Sequence, residues 1–150
     1  MGFQGKNLRR GRHSRSGQIY LLTTVTYLRE PLFVEWSDAQ AVARELHQLG
    51  QQSSVILLAW VLMPDHLHCL IELDDMSLDD YMQQLKSRTA IALNRAMGRT
   101  GKVWQSGYHD HALRRDEDLK AAARYLVANP LRAGLVKSVR DYPFWNAVWL

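Results

Sequence analysis

The chain has 150 residues, 47% of them hydrophobic, with 19 Lys and Arg against 15 Asp and Glu and a formal charge of +4. That length suits one domain able to bury its own core, and no run approaches the ~18 consecutive apolar residues of a membrane span, so a soluble, cytoplasmic protein without membrane association is expected. The single cysteine, Cys69, excludes an intrachain disulfide and fits a reducing compartment.

Met1 to Gly17 shows no apolar stretch behind its charges and does not read as a secretory signal. Lys6, Arg9, Arg10, Arg12, His13 and Arg15 fall there among Gly, Ser and Asn, with no acidic residue before Glu30. Residues 1–17 therefore read as a flexible basic arm, suited either to phosphate contact or to solubility. Residues 18–150 read as one domain.

Ile19 to Leu28, rich in Val, Thr, Tyr and Leu, predicts a first strand. Ser37 with Gln40 forms a capping box, and Val42, Ala43, Leu46 and Leu49 repeat at helical spacing until Gly50. Val55 to Met63 predicts a second strand, Pro64-Asp65 a turn, and His66 to Leu73 a third strand. Ser77 caps a second helix whose buried stripe is Leu78, Tyr81, Met82, Leu85, Thr89, Ala92, Leu93 and Ala96, with Gly98 and Gly101 as its stop. Lys86, Arg88, Arg95, Arg99 and Lys102 form a basic series along it, which a solvated helix face also explains. Val103 to Arg114 predicts a fourth strand. A third helix opens near Asp116-Glu117-Asp118, acidic residues favoured at a helix start, and runs toward Asn129. Tyr142 to Leu150, with Trp145 and Trp149, reads as core packing. Strand, helix, strand, strand, helix, strand is the ferredoxin-like order, an α+β antiparallel sheet with helices on one face and an added C-terminal helix. In that topology the first and third strands are central.

Alternation along the third strand puts His66 and His68 on one face with Leu70 and Glu72, and Leu67, Cys69, Ile71 and Leu73 on the other. The second face suits the core, which makes Cys69 packing rather than a catalytic thiol. The first carries two imidazoles roughly 7 Å apart along the backbone, close enough to converge on one cation. That face stays open and needs the added helix, or a nucleic acid, as its cover.

On the added helix Tyr125 and Asn129, four residues apart, project from one face. A phenol with pKa ~10 is a poor nucleophile until a positive neighbour lowers the cost of ionising it. A metal on the histidines would polarise a phosphate for in-line attack, and the Asn129 amide oxygen is placed to complete its coordination. Each residue alone has a plainer reading: Tyr125 as an amphipathic core tyrosine, Asn129-Pro130 as a turn. A second pair, His109 and His111, shares a strand face by the same alternation, in a segment where Trp104, Tyr108 and Arg114 suit stacking on or gripping unpaired bases.

Met63-Pro64-Asp65-His66-Leu67-His68, then Val103-Trp104-Gln105 and Tyr108-His109-Asp110-His111, then Tyr125-Leu126-Val127-Ala128-Asn129-Pro130-Leu131-Arg132-Ala133-Gly134-Leu135-Val136, resemble the single-tyrosine HUH transposases, and within these the REP-associated tyrosine transposases. The resemblance covers nearly the whole chain, with three motifs in order. It implies a single-strand DNA endonuclease and strand transferase that binds palindromic hairpin DNA and cleaves through a 5′-phosphotyrosine intermediate. It further implies Tyr125 as nucleophile, His66, His68 and Asn129 as metal ligands, and Mg2+ or Mn2+ as the ion. Imidazoles alone would ordinarily suggest zinc. Relatives commonly carry glutamine where Asn129 stands. The implied partners are REP-like hairpins and single-stranded DNA, met by Arg9, Arg10, Arg12, Lys86, Arg88, Trp104, Tyr108, His109, His111 and Arg114, in a monomer rather than a homodimer. A hairpin-binding module without chemistry and a zinc domain unrelated to DNA are the competing classes.

Overall fold

Val55–Met63 is apolar at every position, and a strand of that kind is satisfied only when both of its faces are covered. The computed structural model describes residues 17–52, 54–114 and 119–148, and meets that demand with a layer on each side of the sheet. Its elements are β1 (Ile19–Val25), α1 (Trp36–Leu49), β2 (Val55–Met63), β3 (His66–Leu73), α2 (Leu78–Met97), β4 (His109–Ala112), α3 (Leu119–Val127), α4 (Asn129–Arg132) and β5 (Trp145–Ala147). The strands lie in the order β4-β1-β3-β2-β5 and every pairing is antiparallel. The ferredoxin-like expectation therefore holds, with β1 and β3 central, and β5 extends the sheet on the β2 side.

On one face Tyr20, Leu22, Leu67, Cys69 and Ile71 pack under α1 and α2, through Val42 and Leu46 of the first helix and Leu85 and Leu93 of the second. On the other, Leu58, Ala59, Val61, Met63 and Leu70 pack against Ala123, Leu126 and Val127 of α3. The cover for the second face is thus the added helix. A bulge at Leu58 shifts the β2 register between Leu57 and Ala59. The extra residue switches the strand's alternation, so that Leu57 faces α1 and α2 while Leu58 and Ala59 both face α3.

Local chemistry explains where elements stop. β1 ends at Val25, not Leu28, because Thr26 Oγ1 donates to the carbonyls of Glu30 and Asp65, and Leu28 and Arg29 take φ of 57° and 53°. α1 begins at Trp36 with Glu35 as its N-cap and no side-chain cap bond, so the Ser37 capping box does not form. Ser77 does cap α2, its Oγ accepting from the Asp80 N–H at 3.1 Å, and Gly98 ends that helix with φ of 63°. The fourth strand is only four residues long. Lys86 Nζ donates to the carbonyls of Gln105 and Gly107, both at 2.8 Å, which curls the chain before β4. The Tyr142 to Leu150 segment supplies a strand as well as packing, since Trp145, Asn146 and Ala147 pair with β2.

The third helix does not end at Asn129. Ala128 N–H donates to Arg124 O at 3.0 Å and Arg132 N–H to Ala128 O at 3.0 Å, so a helical path resumes across Pro130 as α4. Leu135 N–H then reaches back to Pro130 O at 2.9 Å, with Gly134 at φ of 77°, the backbone of a Schellman stop. The basic arm, Asp116-Glu117-Asp118 and Trp149 lie outside the described residues. Among the described residues no helix is long and apolar enough to cross a membrane.

Candidate active site

β3 sets His66 and His68 side by side, ring centroids 4.7 Å apart and the planes nearly perpendicular. Each ring is held by its Nδ1. Asp65, the second turn residue before the strand, places Oδ1 2.7 Å from His66 Nδ1 and is braced in turn by Arg29 Nη2 at 3.2 Å. A carboxylate only accepts, so His66 Nδ1 carries a proton and Nε2 is the nitrogen left for another partner. Across the β1–β3 ladder Thr23 pairs with His68, and its Oγ1 lies 2.8 Å from Nδ1. With Nδ1–H donating to that hydroxyl, the second Nε2 is also free to coordinate. Histidines that bind metals through one nitrogen and donate from the other show this arrangement.

Electrostatics suit the same role. Burial, the neighbouring His66 and the charge of Arg132 lower the His68 pKa to about 4, so this imidazole is neutral in neutral solution. Burial alone would raise the Asp65 carboxyl, but the hydrogen bond and charge of His66 and the proximity of Arg29 outweigh it and hold it below its ordinary value. Among the described residues no three His, Cys, Asp or Glu side chains converge as a metal-binding set. Two imidazoles on one strand face are too few donors for a closed zinc centre and fit an open site that other ligands would complete. Cys69 is buried on the opposite face, where burial pushes its thiol up and away from reactivity.

α3 roofs the histidine face with Ala123, Leu126 and Val127, and this orientation turns Tyr125 outward, 67% exposed. The core-tyrosine reading of Tyr125 is thereby removed. Asn129 begins α4, half-buried one turn later. Arg132 follows at the next turn, its guanidinium carbon 3.7 Å from the centroid of the Tyr125 ring.

The other expected contact residues divide by position. Trp104 is 3% exposed, its indole N–H donating to Thr89 Oγ1 at 2.9 Å and its ring 5.2 Å from that of Phe33. Tyr108 is buried too, its hydroxyl donating to Asp79 Oδ1 at 2.6 Å. These two are wall residues here and offer no open ring for a base to stack on, because the curl at 105–107 turns both inward. Lys86 is tied to that curl, and Arg88 Nε donates to Glu45 Oε1 at 3.0 Å between α2 and α1. Both belong to the helical layer, across the sheet from the histidine pair. His109 and His111 are exposed on the outer strand β4, and His109 pairs with Thr23, which pairs with His68. They share the face of the first pair but sit two strands away, about 10 Å at ordinary strand spacing. Arg114 is exposed just past β4, and Arg9, Arg10 and Arg12 lie outside the described residues.

Sequence reasoning missed Thr23, Asp65, Arg29 and Arg132. Asp65 was legible only as a turn residue, and Thr23 needed the strand register. Arg132 was readable, since 125, 129 and 132 are spaced i, i+4, i+7 along one helical side.

The model of the family described as transposase IS200 like matches residues 14–129. A REP-associated tyrosine transposase of Escherichia coli is 33% identical over 86 residues, 57% of this chain and 50% of that protein. A provisionally named REP-associated tyrosine transposase of Haemophilus influenzae is 30% identical over 95 residues, 55% of this chain and 53% of that one. The chain spans about half the length of these curated relatives. A solved structure, described as the REP-associated tyrosine transposase bound to a REP hairpin, is similar with a TM-score of 0.72 at 25% identity, covering 89% of this chain and 79% of that one.

Proposed function

Because the chain belongs to the IS200-like transposase family, we propose that it is a DNA nicking and joining enzyme that binds REP-like hairpins with a flanking single strand and cuts that strand through Tyr125. One observation carries the reading: two imidazoles on a single strand face, each with Nδ1 engaged by Asp65 or Thr23, under the helix that bears an exposed tyrosine. His66, His68 and Asn129 would hold Mg2+ or Mn2+. When bound, the ion supplies Lewis-acid polarisation of the scissile phosphate.

The chain's own residues perform the rest. Asp65 and Thr23 hold the two rings by their Nδ1 atoms, and α3 presents an exposed phenol that a strand can reach. Tyr125 Oη attacks phosphorus, giving up its proton to solvent. The bond from phosphorus to the 3′ oxygen breaks, and that oxygen leaves as a hydroxyl after taking up a proton. A phosphodiester has been exchanged for a phosphotyrosine on the downstream 5′ end, so the reverse attack rejoins strands without a nucleotide cofactor. The proposed acting unit is a monomer in which Tyr125 serves the histidines of its own sheet.

The test uses hairpin oligonucleotides from palindromes of the source genome, labelled at the 3′ or the 5′ end, with Mg2+ or Mn2+. The 3′ label is expected to comigrate with the protein under denaturing conditions and the 5′ label to appear on a shortened free strand. Tyr125→Phe should abolish the adduct and retain hairpin binding. Hairpin binding without any adduct from the wild-type chain would replace this reading with that of a catalytically silent hairpin-binding protein.

A further inference from the structure

The Arg132 guanidinium is stacked on the nucleophile's ring by covalent design. α3 and α4 are separated only by Ala128, and Arg132, seven residues after Tyr125, comes back over the Tyr125 ring. Pro130 fixes the start of α4 and Gly134 stops it, which pins Arg132 in the last turn. Its guanidinium carbon sits 3.7 Å from the Tyr125 ring centroid, within cation–π range of the ring. Among the described residues no carboxylate forms an ion pair with Arg132.

A cation held there, exposed and with no ion pair among the described residues, offers its donors to a planar, divalent set of acceptors, and two non-bridging phosphate oxygens are such a set. Building on the strand-cutting reading above, we propose that Arg132 is a further catalytic residue: it clamps the scissile phosphate by its N–H edge while its face braces the Tyr125 ring in line for attack. The charge that accumulates on the equatorial oxygens as the Tyr125 bond forms and the 3′ oxygen departs would be met by this fork. Lysine, a point charge that neither forks nor stacks in the same way, would replace it poorly.

The experiment measures the single-turnover rate of adduct formation by the full chain on the hairpin that the wild type cuts, comparing Arg132→Ala, Arg132→Lys and Arg132→Gln, with circular dichroism of each. Arg132→Ala and Arg132→Gln are expected to slow the step by about 100-fold or more, the range for removing one such donor. Arg132→Lys should recover only a minor part, and added guanidinium ion should partly restore Arg132→Ala, a rescue that a merely structural role would not give. Adduct formation by folded Arg132→Ala or Arg132→Gln within threefold of wild type would overturn the assignment while leaving Tyr125 chemistry intact. No adduct from the wild type on any genomic palindrome would instead defeat the strand-cutting reading and this assignment with it.

Discussion

Thr23 and His68 face each other across the central pair of strands, hydroxyl oxygen to Nδ1 at 2.8 Å. The contact holds the ring by Nδ1 and leaves Nε2 as the nitrogen the proposed cation would take. Thr23→Val keeps the shape and removes the acceptor. The Mn2+ concentration needed for half-maximal adduct formation should then rise by about 10- to 100-fold, the usual effect of deleting a partner behind a metal-bound histidine. A metal titration on the folded variant checks this. An unchanged requirement would mean that the hydroxyl only packs.

Acid should destabilise the metal-free protein through His68. Its folded pKa of about 4 lies below the ordinary 6.5, so the unfolded chain binds the proton more tightly. Stability is complete above pH 6.5 and falls as pH drops toward 4, by at most about 3 kcal/mol. Thermal midpoints measured in chelator across that window should decline for the wild type. His68→Gln should flatten the decline, leaving the smaller slope from Asp65 at lower pH.

Trp104 separates the wall from the contact surface. Trp104→Phe removes the indole N–H that reaches Thr89 and leaves a small void in a site 3% exposed. A loss of about 2 kcal/mol in denaturant unfolding is expected. Hairpin affinity, measured by anisotropy well below the new midpoint, should stay within twofold. A large drop there would return the indole to the DNA surface.

Much of this architecture was legible because period-2 alternation on β3 survives intact, which is why the histidine face and the buried Cys69 could both be read from spacing. β2 carried no such signal. Every residue is apolar and the bulge at Leu58 reverses the alternation midway, so only the tertiary packing tells which side chain faces which layer. The segment before β4 misled for a different reason: Trp104 and Tyr108 have the composition of a stacking platform, but a lysine one helix away closes the loop and turns them inward. The partners of the imidazoles were invisible for want of register. β5 was missed because three residues at a sheet edge carry too little periodicity to stand out from a packed tail.

The apolar side of α3 seals Leu58, Ala59, Val61, Met63 and Leu70 from water, while its opposite side carries the exposed Tyr125 phenol. Reactivity and dryness of the sheet are thus fastened to one short rod. Lifting that rod away would wet five oily side chains at once, so a wide swing of the tyrosine is penalised unless an identical rod slides into its berth. Under the strand-cutting proposal, motion is better sought in the nucleic acid than in the protein.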